Sequence, residues 1–102
     1  MGGILGSQMW YVYVIKNQNR KLYVGYSVDL KKRFANHNGG KVDATKHARP
    51  WKLIYYEAYQ SEDVARLREK KLKQRGRAWQ ELKKRIDIVP KVVLGHGVPI
   101  EE

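Results

Sequence analysis

Arg33 and His37 stand four residues apart in the segment from Leu30 to His37, so on a helix one lies over the other at the next turn. A fixed cation beside a titratable imidazole could hold a phosphate and shuttle a proton. The plainer alternative is a half-buried core histidine next to a solvated arginine, because His37 shares its helical face with Leu30 and Phe34. Tyr13 and Tyr23 lie in two apolar runs separated by a polar turn. A loop with an odd number of residues pairs positions of equal parity and puts both phenols on one face of a hairpin, whereas a two-residue loop separates them. Among the 10 Asp and Glu residues, Asp29, Glu62 and Asp63 have helix-capping or dipole roles, Asp43 sits in a loop, and Glu101 and Glu102 are terminal. Glu57 and Glu69 are the acids to watch. Glu69 lies beside the apolar stripe of its helix, with Ala65 before it and Leu72 after, although Arg68 is nearer the centre of that stripe and the pattern alone favours a solvated helical glutamate. The chain has no cysteine, no HExxH, no His pair at helical spacing and no carboxylate cluster. Those absences argue against zinc sites and against two-metal phosphodiester chemistry, and they leave a one-metal site open.

The elements that must position these residues follow from periodicity and punctuation. Trp10 to Ile15 is apolar on both faces, as a strand covered on both sides would be. Asn17, Gln18 and Asn19 supply a turn, and Leu22 to Gly25 forms a second, antiparallel strand. Ser27 and Asp29 are N-caps for a helix over Leu30 to His37, which Asn38, Gly39 and Gly40 end. Lys41 to Pro50 is a basic loop, and Trp51 to Tyr59 is a third strand. Ser61 caps a second helix with Glu62 and Asp63 in its first turn and Lys70, Lys71 and Lys73 in its last. Gly76 breaks it, and Ala78 to Ile86 is a third helix. The expected class is α+β, a small three-stranded antiparallel sheet flanked by about three helices. One domain spans residues 9–86, between a flexible N-terminal extension at 1–8 and a C-terminal tail at 87–102.

The chain is 102 residues long, and two cores of half that size would each need disulfides or metals. Lys and Arg number 21 against 10 Asp and Glu, a net charge of +11, and 20 of those cations fall between Lys16 and Arg85. The basic surface therefore belongs to the folded body, and 42% hydrophobic and 11% aromatic content distinguishes that body from a disordered basic tail. Such a surface draws polyanions, of which nucleic acid is the abundant one, while a merely soluble basic protein remains the bland alternative. Membrane binding is not expected: the longest apolar stretch, Met9 to Ile15, is far below the roughly 18 to 20 residues of a span, and the helices read as packing on a sheet. No signal peptide is expected at the start, which is short, Gly-rich and uncharged, and the lack of cysteine fits a reducing compartment, so a cytoplasmic location is expected.

Tyr11-Val12-Tyr13, ten residues before Tyr23-Val24-Gly25, is followed by the Arg33 and His37 helix, by Pro50-Trp51-Lys52-Leu53 and by Glu69 in an Arg-Glu-Lys-Lys-Leu-Lys helix. In that order and spacing the segment from about Trp10 to Ile86 resembles the GIY-YIG nuclease domain, above all its small standalone, single-domain members, and is similar over the same span to structure-selective repair nucleases. Tyr11 stands where the name-giving glycine is usual, and no asparagine follows Asn38, whereas some active members use one late in the domain. The resemblance implies a metal-dependent endonuclease hydrolysing DNA phosphodiester bonds, with structure-selective cutting in repair or recombination as one form of that activity. One divalent ion, Mg2+ or Mn2+, would be held by Glu69. Tyr13 would activate the attacking water with His37 taking or relaying the proton, Arg33 would bind the charge developing on phosphorus, and Tyr23 would orient the phosphate or water. Because a free tyrosine titrates near 10, Arg33 and the ion are expected to help Tyr13 ionise. Tyr11, Lys32, Lys46, His47, Arg49, Lys52 and Lys73 are candidate nucleic-acid contacts. The alternatives are a nucleic-acid-binding module with the same fold and little or no cleavage, and an interaction subunit that needs a partner protein.

Overall fold

Asn17 organises the first hairpin. Its Oδ1 accepts from the backbone N–H of Asn19 at 2.9 Å and of Lys21 at 2.8 Å, while its own N–H donates to the Lys21 carbonyl at 3.0 Å. Arg20 takes a φ of 68°, the left-handed residue that closes a three-residue hairpin loop. In this computed structural model, which describes residues 8–88, the loop joins β1 (Trp10–Asn17) to β2 (Leu22–Ser27). The odd loop pairs Tyr13 with Gly25 and Ile15 with Tyr23, so Tyr13 and Tyr23 share a face. Both strands run two residues beyond the stretches expected from the sequence, because Asn17 is at once strand end and turn anchor and is itself buried.

β3 (Trp51–Tyr59) pairs antiparallel on the other side of β1, giving the order β2-β1-β3. The central β1 is therefore covered on both faces, as its composition required. Val12, Val14 and Val24 pack against Ala65 and Leu72 of α2 (Glu62–Lys73) and against Trp79 and Leu82 of α3 (Arg77–Ile88). Tyr13, Ile15 and Trp51 form the other core, with Leu30 and Phe34 of α1 (Leu30–Asn38) upon them. Asp29 caps α1 by accepting from the Lys32 N–H at 3.0 Å, and Ser61 caps α2 by accepting from Val64 at 3.3 Å. The molecule is thus α+β, a three-stranded antiparallel sheet with three helices. A bulge opposite Val14 and Ile15 turns Ile54 and Tyr55 to the same side, which reverses the parity of β3 beyond it. The extension assigned to 1–8 and the tail assigned to 87–102 lie outside the described residues, apart from Gln8 and the backbone end of α3.

Glu57 proves to be a structural acid. It pairs in register with Val12 on the face covered by α2, and its carboxylate accepts from Arg68 Nε at 2.8 Å, Arg68 Nη2 at 2.7 Å, Tyr55 at 2.5 Å and Tyr59 at 2.6 Å. This explains why a cation occupies the apolar stripe of α2. Burial alone would raise the Glu57 pKa, but hydrogen bonds from Arg68, Tyr55 and Tyr59 and the Arg68 charge together hold it below the ordinary 4.5.

A carboxylate held low in the folded state contributes stability that is present above its ordinary pKa and lost as the pH falls through the folded one. Glu57→Gln should cost about 2 kcal/mol in urea denaturation at neutral pH, since charge-assisted hydrogen bonds are lost and Arg68 is left without its anion. The parent should lose part of this margin below pH 4.5, and the variant should show a flatter acid limb.

Candidate active site

Tyr13 sits mid-strand, opposite Gly25 on one side and Tyr56 on the other. The missing side chain at Gly25 gives its ring room to cross β2: an added Cβ would fall 2.6 Å from Tyr13 Cζ and nearer still to the hydroxyl. The Tyr13 oxygen is then met by α1. Its partner His37, one turn beyond Arg33, presents Nε2 at 2.7 Å, and Arg33 Nε donates to the same oxygen over 3.4 Å. Tyr13 and His37 are both fully buried, with 0% of either surface exposed. Beneath the imidazole, Nδ1 lies 2.7 Å from Thr45 Oγ1 in the loop between α1 and β3. That loop is held rigid at three points. Asn38 clamps the Trp51 backbone with both amide atoms at 2.7 and 2.9 Å, Asn17 Nδ2 donates to Ala48 at 3.1 Å, and Trp51 Nε1 donates to the Thr45 carbonyl at 3.1 Å.

The Tyr23 ring stands edge-on to His37 with centroids 5.2 Å apart, and Lys73 Nζ lies 5.2 Å above it. Lys73 in turn ion-pairs with Glu69 at 3.2 Å, the Glu69 side chain being 19% exposed. Glu69 is close enough for its charge to act on Tyr13. Tyr13, Tyr23, Arg33, His37, Glu69 and Lys73 therefore occupy one neighbourhood.

Arg33 favours the ionised form of Tyr13, as expected, but burial is the larger effect. Burial pushes the phenol up to about 12, outweighing the hydrogen bond and charge of Arg33, and Tyr23 and Glu69 add to the rise. Burial, reinforced by Arg33, pushes His37 down to about 4. Arg33 is raised, chiefly by its hydrogen bond to Tyr13. At neutral pH the trio is a phenol, a neutral imidazole and a guanidinium.

The other candidates are more dispersed. Tyr11 follows the parity of Tyr13 and lies edge-on to Tyr56 at 6.0 Å. Lys32 and His47 are exposed, Lys46 pairs with Asp43 at 3.3 Å, and Arg49 bonds the Lys46 carbonyl at 2.8 Å while lying over Gly40, whose φ is 76°. Lys52 alternates with Trp51 and Leu53, both of the Tyr13-side core, so it stands on the opposite face of the sheet. Glu57 is on that opposite face too. Among the described residues no group of three His, Asp or Glu could hold a metal ion. Glu69, a carboxylate paired with one lysine, has the oxygen chemistry a hard cation takes. The residue that sequence reasoning missed is Thr45, which sits eight positions from His37 across an irregular loop where no periodicity links them.

Residues 9–85 match the family of the GIY-YIG catalytic domain. Over 73 residues the chain is 41% identical to the UPF0213 proteins of Streptococcus pyogenes serotypes M5 and M2, a match covering 71% of this chain and 79% of each of those. It is also similar to the solution NMR structure of a UPF0213 protein from Bacillus halodurans, with a TM-score of 0.51 and 26% identity over 80% of this chain and 88% of that one.

His37 yields a test of the electrostatics. The unfolded chain takes up a proton near 6.5 that the folded state refuses until about 4, so this histidine's contribution to stability is present above 6.5 and is lost as the pH falls between those values. An NMR titration should find the His37 imidazole neutral at pH 5. In Arg33→Gln its pKa should rise but stay below 6.5, because burial, the larger cause, remains.

Proposed function

The chain belongs to the GIY-YIG catalytic domain family, and from that footing we propose that it is a divalent-metal-dependent endonuclease hydrolysing DNA phosphodiester bonds. The observation that carries this reading is the phenol of Tyr13 set between a neutral imidazole at 2.7 Å and a guanidinium at 3.4 Å. In the proposed reaction the water oxygen bonds to phosphorus and its proton passes to the Tyr13 oxygen. The Tyr13 proton passes to His37 Nε2, and the bond from phosphorus to the 3′ oxygen breaks, the electron pair leaving with that oxygen, which then takes up a proton from solvent. His37 can accept only while it is neutral, which its lowered pKa ensures at neutral pH. Arg33 leaves its long contact with Tyr13 for the phosphate, which is the better partner for a guanidinium, and thereby uncovers the hydroxyl. Tyr23, fixed between His37 and Lys73, borders the phosphate position. Glu69 is the carboxylate that would hold the ion, which when bound supplies Lewis-acid polarisation of a phosphate oxygen. Lys32, Lys46, His47, Arg49 and Lys73 would contact phosphates, so strand structure rather than base sequence is the feature recognised.

A second reading, a binding module without useful turnover, draws on the complete burial of the Tyr13 hydroxyl. Incubation with labelled duplex, flap, junction and single-stranded DNA in Mg2+, Mn2+ or EDTA separates the two. Cleavage that requires the metal supports the nuclease, and binding without any cleavage supports the module.

Two outcomes are expected beyond that assay. Glu69→Gln should reduce cleavage by about a hundredfold or more while DNA affinity stays equal or tightens, since a negative charge near the phosphates is gone. A variant that cuts as fast as the parent removes Glu69 from the site. Affinity should also fall by about a thousandfold between roughly 50 and 200 mM salt if some six phosphates are engaged, and a flat response removes nucleic acid as the partner.

A further inference from the structure

We infer that Thr45 is a positioning residue whose buried hydroxyl fixes His37 in the tautomer that leaves Nε2 bare toward Tyr13. The consequence for turnover rests on the nuclease reading above; the tautomer itself does not.

The inference comes from accounting for protons in a line of buried groups. Tyr13 and His37 are 0% exposed and Thr45 is 1% exposed, so bulk water does not reach them. Tyr13 and His37 are 2.7 Å apart, as are His37 and Thr45, and each contact holds one proton. If Nδ1 carries the ring proton, it donates to Thr45 Oγ1. The Thr45 hydroxyl then donates to the Val42 carbonyl, Tyr13 donates to Nε2, and Arg33 donates to the Tyr13 oxygen. Every proton has an acceptor. The longest link is Thr45 to Val42 at 3.5 Å, because that carbonyl also accepts from the Thr45 and Lys46 N–H groups at 3.0 and 2.9 Å.

If Nε2 carries the proton instead, the Tyr13 oxygen receives from both His37 and Arg33. Its own proton then has no acceptor among the described hydrogen bonds, and Arg33 can only donate. An orphaned proton on a buried hydroxyl is costlier than a long hydrogen bond that still exists. The first arrangement is therefore preferred.

Thr45 is suited to the task because its backbone is fixed independently of its hydroxyl. Its N–H donates to Val42, and its carbonyl accepts from Ala48 at 3.1 Å and from the Trp51 indole at 3.1 Å. The hydroxyl is thus held in place to receive the imidazole, and the chain of donors runs one way, from Tyr13 toward Val42. In the proposed reaction that direction matters, since only a bare Nε2 can take the Tyr13 proton as water gives its own to the phenol oxygen.

The chain has 3 histidines, so replacing His47 and His96 by Gln leaves His37 as the sole imidazole for nitrogen-15 NMR. The expected parent spectrum shows a protonated Nδ1 and a bare Nε2. Thr45→Val, which keeps the shape and removes the acceptor, should move the proton to Nε2, and Thr45→Ser should restore it to Nδ1. A protonated Nε2 in the parent overturns the inference without any variant, and so does a Thr45→Val protein that retains the Nδ1 proton. With native His47 and His96, single-turnover cleavage should fall at least about tenfold in Thr45→Val at unchanged DNA affinity and return to within about threefold of the parent in Thr45→Ser. An unchanged rate in Thr45→Val overturns the positioning role. A parent that shows the Nδ1 tautomer but cuts no DNA overturns the nuclease reading and leaves the tautomer assignment standing.

Discussion

One side chain holds together the two segments on which the site depends. The Asn17 carbonyl oxygen closes the hairpin loop, and its amide nitrogen reaches across to Ala48 in the loop that carries Thr45. The first contact sets the parity of the hairpin, which decides that Tyr23 shares with Tyr13 the face that α1 covers. The second places the floor beneath His37. A slip of one residue in the hairpin would leave Tyr13 where it is and send Tyr23 to the other face of the sheet. Because β1 is buried on both faces, Tyr13 cannot compromise by turning toward water. The register is consequently a condition of having a site at all.

The two faces of the sheet use similar residue types to opposite ends. On the α2 face Glu57 receives four hydrogen bonds, two of them from one guanidinium, so it has nothing left to offer a ligand. On α1, Arg33 makes a long bond to the Tyr13 phenol, and on α2 Glu69 is paired with a lysine at 3.2 Å. Saturation pins α2 to β3 through Arg68. Incomplete pairing of Arg33 and Glu69 leaves charges that a phosphate and a cation can claim. Arg68 and Glu69 are neighbours in sequence, so the contact that fixes the helix also sets the direction in which Glu69 is presented.

Much of this was legible in the residues. The apolar run of β1, the caps at Asp29 and Ser61 and the break near Gly76 are local signals, and local signals survive into the fold because tertiary packing has no reason to override them. Arg33 and His37 were paired by helical spacing alone. What could not be read depended on contacts between distant segments. The loop parity left two faces open for Tyr23 until Arg20 took its left-handed conformation. Glu57 and Glu69 looked alike as isolated acids, and only the bulge in β3 and the reach of Arg68 separate them. Lys52 stands three residues after Arg49 in the chain, yet strand alternation sets it on the far face. Thr45 carried no local signal, because its partner is on a helix and its role is a single hydrogen bond.

The opposed pKa shifts of Tyr13 and His37 bear on how a proton could cross between them. With the phenol near 12 and the imidazole near 4, moving the proton at rest is uphill by many powers of ten, so the ground state is the neutral pair. Arg33 has a divided effect there. Its charge favours a phenolate but disfavours an imidazolium, and burial opposes both ions. In the nuclease reading the arrival of a phosphate changes this balance in one movement. Arg33 turns to the phosphate, its positive charge near His37 is offset, and the imidazole becomes the better acceptor. The same movement opens the phenol oxygen to water. In that reading proton transfer is favoured only when water is giving up its own proton, which would tie activation of the phenol to the presence of a phosphate.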